Sequence, residues 1–133
     1  MTEPLLIWIA DDDAAMCQML SVSLQRKGFK VCEYASGTDL IKQLTETAGN
    51  GSAPDLIVSD VQMPGANGLD VLHWTRRTTP DTPVILITAF GDRHIHKRAH
   101  ELGAAMIIDK PFDLKILHSK VTEILAPPRA LMS

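Results

Sequence analysis

Polar residues that could act together on one substrate occur at four places in this chain, each at the end of an apolar run. Asp11, Asp12 and Asp13 follow LLIWIA (5–10), Asp60 closes DLIVSD (55–60), Thr88 closes VILIT (84–88), and Lys110 follows AMIID (105–109). Carboxylates drawn together repel, and loss of water adds to the cost unless a cation is held among them. Their oxygens, with few protein contacts needed, suit Mg²⁺. A carboxylate nucleophile, a divalent ion, a lysine and a hydroxyl make a phosphoryl-transfer site. The ion and the lysine stabilise charge on the equatorial oxygens, and little else is required of the protein. A helix starting after Asp13 adds backbone N–H dipoles that favour anions.

These residues meet only if the intervening elements set the apolar runs side by side. Residues 5–10 read as a fully buried strand, and 14–27 carry Met16, Leu20 and Leu24 at helical spacing before Gly28, a natural helix stop. FKVCEY (29–34) reads as a strand. A helix over about 38–48 follows, with Leu40, Ile41 and Leu44 on one face and Ser36 or Thr38 as candidate caps. GNGSAP (49–54) is a loop by composition, and MPGANG (63–68) is a turn after the strand at 55–60. A helix is expected from Leu69 to about Arg77, then a break at TPDTP (79–83) and a strand at 84–88. A short helix over about 92–102 stops at Gly103, the last strand is 105–109, and Leu114, Leu117, Val121 and Leu125 mark an amphipathic helix over about 113–125.

Five strands thus alternate with five helices. Near-continuous apolar strands so separated imply an α/β fold whose parallel sheet is covered on both faces. In such open sheets the crevice lies beyond the carboxyl ends of the strands, where strand order reverses, and Asp11, Asp12, Asp60, Thr88 and Lys110 all fall at or just past such an end. There is no internal repeat and no second domain: residues 1–126 read as one domain and 127–133 as a linker or tail.

The 133 residues are 45% apolar and 22% charged with a net charge of −3, the balance of a globular domain rather than a disordered or fibrous chain. That charge argues against direct nucleic-acid binding by this domain. No apolar run is long enough to cross a bilayer and no basic segment precedes the first one, so a cytoplasmic protein with no membrane contact is expected. Cys17 and Cys32 are too few for a disulfide framework and read as small buried hydrophobes.

The chain resembles a response-regulator receiver domain of bacterial two-component signalling over residues 5 to about 125. ADDD (10–13), SDVQMPGANGLD (59–70), ITA (87–89) and DKPF (109–112) carry the resemblance. It implies a flavodoxin-like receiver fold with strand order 2-1-3-4-5, in which Asp12 and Asp60 face one cavity. It implies that Asp60 takes a phosphoryl group from a phosphohistidine on a sensor histidine kinase. Asp12 would bind Mg²⁺ directly and Asp11 mostly through water, with the Gln62 backbone carbonyl completing the protein ligands. Lys110 would pair with the phosphoryl group, Thr88 would hydrogen-bond to it, and Lys110-Pro111 would be cis. The 92–125 face would then switch its contact with an output domain or partner protein, with transcription the expected process. IWIADDD most resembles the receivers that precede AAA+ enhancer-binding activators, although a stand-alone receiver fits equally. Such a domain promotes its own phosphorylation and dephosphorylation and is not a turnover enzyme. A homodimer, the cognate kinase and the output stay open.

Plainer readings stand beside these. Asp13 is a helix cap, Asp60 alone would merely end a strand, Thr88 could be the last β-branched residue of its strand, and Lys110 a surface lysine. His96 and His100, spaced i,i+4 in DRHIHKRAH, could chelate a metal, but a solvated basic helix face is the usual meaning. Ile107 departs from the family, where the position three before the lysine is usually an aromatic switch. Phe90 and Gln62 occupy positions that tune phosphoryl lifetime, and a bulky Phe90 predicts slow autodephosphorylation. Two alternatives remain: a pseudo-receiver that only binds partners, and a haloacid-dehalogenase-type phosphatase with Asp11 and Asp13 as its Asp-x-Asp pair. The MPG…G turn after Asp60 favours the receiver. Nothing resembles a P-loop or a dinucleotide fingerprint.

Overall fold

A computed structural model describes residues 3–89 and 92–125. Strands β1 (Leu6–Ala10), β2 (Lys30–Tyr34), β3 (Leu56–Asp60), β4 (Val84–Ala89) and β5 (Met106–Lys110) alternate with helices α1 (Ala14–Arg26), α2 (Gly37–Thr47), α3 (Gly68–Thr78), α4 (Arg93–Glu101) and α5 (Leu114–Leu125). All strand pairs are parallel, in the order β2-β1-β3-β4-β5. The expected order and element count are both observed.

Because side chains alternate along a strand, β1 divides its apolar residues between two cores. Ile7 and Ile9 join Val58, Ile85 and Ile87 against Leu20 and Leu24 of α1 and Leu117 and Val121 of α5. Trp8 and Ala10 join Ile57, Val84 and Leu86 against Leu40 and Leu44 of α2, Val71 and Leu72 of α3, and Ala99 of α4. Ile7, Leu24, Leu40, Leu72 and Leu86 are wholly inaccessible, each worth about 1.5–3 kcal/mol of transfer free energy relative to exposure. The chain leaves β1 for β2 on one side and returns to β3 on the other. The reversal therefore falls between β1 and β3, where a crevice must open.

Helix boundaries differ from expectation by a residue or two. Ser36 caps α2, accepting the Asp39 N–H, whereas Thr38 Oγ1 accepts the Ala66 N–H at 3.4 Å and so ties α2 to the loop before α3. That loop ends in a capping box: Asn67 accepts from the Asp70 N–H while Asp70 accepts from the Asn67 N–H, which moves the start of α3 back from Leu69 to Gly68. Cys17 is buried, and burial, with Glu33 beside it, pushes its thiol up to about 12, consistent with a packing role. Among the described residues no helix is long and apolar enough to cross a membrane. The 127–133 tail and Phe90 lie outside the described residues.

Candidate functional site

Asp11 continues the ladder past β1, its N–H donating to the Tyr34 carbonyl at 3.1 Å. This bond fixes the backbone at the rim of the sheet, and the side chain is only 2% exposed. Its Oδ1 accepts the Asp13 N–H at 2.9 Å, while its Oδ2 is buried with no hydrogen-bond partner. Asp12 is exposed. Asp13 turns the chain into α1, its carboxylate accepting from the Ala15 and Met16 N–H groups, so the third acid of the run is a cap, as its plainer reading holds.

Asp60 ends β3 at 5% exposure. One oxygen from each of Asp11, Asp12 and Asp60 lies within 4.8 Å of the others. Lys110, the last residue of β5, reaches across with Nζ 3.1 Å from Asp60 Oδ2. The Gln62 N–H donates to Asp60 Oδ1 at 3.3 Å. Thr88 lies in β4, one residue beyond the Asp60–Ile87 pairing; it is fully buried and its Oγ1 has no partner. The Lys110-Pro111 bond is cis.

Burial is the main reason the Asp11 carboxyl is raised to about 6, and the carboxylates of Asp60 and Asp12 push in the same direction. The Asp13 N–H and Lys110 oppose them without prevailing. An oxygen that is buried, unpartnered and faced by two further acids is under-compensated, and a hard divalent cation supplies what it lacks. The donor set therefore fits Mg²⁺. The unpartnered Thr88 hydroxyl is a second group without its complement, and a tetrahedral oxyanion would provide one.

Asp11, Asp12, Asp60 and Lys110 are thus brought together, with Gln62 and Thr88 beside Asp60. Among the described residues, Asp11, Asp12 and Asp60 form the only group of three side chains placed to hold a metal ion. The His96–His100 chelate finds no support in the geometry. His96 Nε2 instead bonds Asp109 Oδ1 at 2.7 Å, and His100 is exposed. Both partners of that bond are about a third exposed, so the pair is worth at most about 1 kcal/mol. His96→Ala should accordingly change unfolding stability in urea by no more than that amount. A loss above about 2 kcal/mol would show that α4 depends on the pair far more than an exposed contact allows. Ile107 is half-buried and packs in the α2–α4 core, so an aliphatic residue fills the aromatic position.

One contributor was not visible in the sequence. A Cβ on Gly68 would fall 2.6 Å from the Asp60 carbonyl oxygen and 2.8 Å from Val61 Cα, so the start of α3 lies directly under the backbone of Asp60. Asn-x-x-Asp at 67–70 is the cap signal there, whereas the sequence reading leaves Asn67 and Gly68 in the MPGANG turn and starts the helix at Leu69.

Comparison with known proteins agrees with this geometry. Residues 7–122 match the family described as the response regulator receiver domain. The DNA-binding transcriptional regulator NtrC of Klebsiella pneumoniae is 33% identical over 109 residues, covering 82% of this chain and 22% of that protein. The chain thus spans about a fifth of that relative's length. Among solved structures, a receiver domain protein from Clostridium thermocellum superposes with TM-score 0.83 at 26% identity, covering 96% of this chain and 98% of the other. Response regulator TrrA from Thermotoga maritima, in complex with Mg²⁺-BeF, gives 0.78 at 26%, covering 91% and 99%.

Proposed function

Because the chain belongs to the response regulator receiver domain family, we propose that Asp60 is its phosphoacceptor and that a sensor histidine kinase supplies the phosphoryl group. The observation that carries this reading is the nearly buried Asp60 carboxylate held by Lys110 at 3.1 Å beside two further acids. Contacts from Lys110 and Gln62 to its two oxygens orient the nucleophile before any donor arrives. In the transfer, an Asp60 oxygen forms a bond to phosphorus as the N–P bond of the phosphohistidine breaks. The imidazole leaves with that electron pair and takes up a proton. Lys110 follows the charge onto the phosphoryl oxygens, and the Thr88 hydroxyl donates to one of them. Asp11, Asp12, Asp60 and the Gln62 carbonyl would hold Mg²⁺, which when bound neutralises the clustered negative charge.

Nothing in this scheme releases a transformed substrate other than by hydrolysis of the chain's own acyl phosphate, so the domain is a switch rather than a turnover enzyme. The 92–125 face would carry its output contact. Transcription is the favoured process, by analogy with NtrC, and the cytoplasm the favoured location. Intact-protein mass spectrometry after incubation with a small acyl-phosphate donor tests the reading. One phosphoryl adduct that requires Mg²⁺ is expected; a folded chain that binds Mg²⁺ yet takes no adduct would leave only an interaction module.

The raised Asp11 carboxyl adds a pH signature. In metal-free protein the folded state holds a proton that the unfolded chain, near 3.8, has already lost. This contribution to stability is therefore full below the unfolded value and disappears as pH rises through about 6. Metal binding requires that proton to leave. Added Mg²⁺ should therefore raise the melting temperature more near pH 8 than near pH 5, with chelator reversing the gain. Equal shifts at both pH values would argue against Asp11 as a ligand.

A further inference from the structure

The chain contains two Asn-Gly pairs, Asn50-Gly51 and Asn67-Gly68. Asn-Gly is chemically labile because glycine has no side chain to hinder its nitrogen from reaching the preceding amide carbon. The fold treats the two pairs in opposite ways, and we infer that Asn50 is a site of spontaneous conversion to aspartate and isoaspartate from which Asn67 is protected.

Around Asn50 the chain is open. Asn50 and Gly51 are exposed, Gly51 has φ +78, and a Cβ built on it would meet nothing within 4 Å. Among the described residues nothing accepts the Gly51 N–H, while the Ser52 N–H donates to Asn50 Oδ1 at 3.0 Å and so polarises the amide carbonyl. The Gly51 nitrogen, losing its proton to solvent, can bond to the Asn50 side-chain carbon. The C–N bond of the amide then breaks and ammonia leaves. Water opens the resulting cyclic imide at either carbonyl, giving aspartate or a main chain lengthened through the β-carboxyl. No other reactant is needed.

Around Asn67 every participant is engaged. The Gly68 nitrogen donates to the Val61 carbonyl at 3.1 Å, and Asn67 Oδ1 accepts from the Asp70 N–H at 3.0 Å. The Asn67 backbone is held extended at ψ −177, and Gly68 is packed against the Asp60 carbonyl. Cyclisation there must break both the cap and the backbone bond, which together slow it about tenfold or more. The protection matters because a lengthened main chain at 67 would displace Gly68 from beneath the phosphoacceptor, whereas residue 50 lies in the α2–β3 loop, outside the site.

The test is to age the folded full chain in mildly alkaline buffer made with ¹⁸O-water, and an unfolded sample in urea beside it, with peptide mapping over time. In the folded chain, acid and isoacid should appear at 50 about tenfold or more faster than at 67, and in urea the two rates should converge. Comparable rates at the two sites in the folded chain would overturn the inference. So would a folded chain whose Asn50 stays intact while the same residue converts in urea.

Discussion

Asp60→Asn is expected to take up no phosphoryl group from an acyl-phosphate donor under conditions in which the parent chain becomes phosphorylated. The amide keeps nearly the same shape, so the fold should survive, but its oxygen carries no charge to attack phosphorus and its nitrogen has no available electron pair. Lys110 loses its ionic partner in the variant, while Asp11 and Asp12 remain to hold metal. Loss of the adduct with retained Mg²⁺ binding would locate the defect in the nucleophile. Phosphorylation of the variant to the parent's extent would exclude Asp60 as the acceptor and direct attention to Asp11 or Asp12.

Gly68→Ala is expected to destabilise the fold and disturb the site together. Two influences oppose each other. At a helix position alanine is intrinsically preferred to glycine by up to about 1 kcal/mol. Against that, the new methyl would stand 2.6 Å from the Asp60 carbonyl oxygen and 2.8 Å from Val61 Cα, both backbone atoms that no rotamer change can move. Overpacking of this kind typically costs about 1–3 kcal/mol, and rigid neighbours favour the upper end. The clash should prevail, lowering the melting temperature by roughly 5–10 °C. Because the displaced carbonyl belongs to Asp60 itself, phosphorylation should slow as well. A melting temperature within about 2 °C of the parent's would mean that the loop yields more easily than its contacts imply.

Much of this molecule could be read from its residues because strand ends are conspicuous. Asp60, Thr88 and Lys110 each stand at the end of a largely apolar run or within a residue or two of it, and only a parallel sheet gathers such ends into one crevice. Other features escaped because they depend on distances between segments far apart in sequence. Nothing in ADDD distinguishes Asp11, sealed by the ladder bond to Tyr34, from exposed Asp12. Ser36 and Thr38 are both plausible caps until Ala66 is seen to engage Thr38. Gly37 and Gly68 look like ordinary turn residues, yet a Cβ on Gly37 would fall 2.4 Å from the Ala66 carbonyl oxygen. Close approach of two backbones leaves a glycine in the sequence but does not name its partner.

The division of each strand between two cores bears on how this chain can vary in length. Deleting one residue from β3 would carry Ile57 and Val58 to the wrong sides of the sheet and turn Asp60 away from Lys110, so burial and chemistry would fail together. Substitution within the strand is a milder event, because a neighbour of similar volume can take its place. The loop around Gly49 and Gly51 has no such constraint, since both glycines border open space. Descendants of this sequence can therefore lengthen or shorten at that loop, while β3 can change only letter by letter.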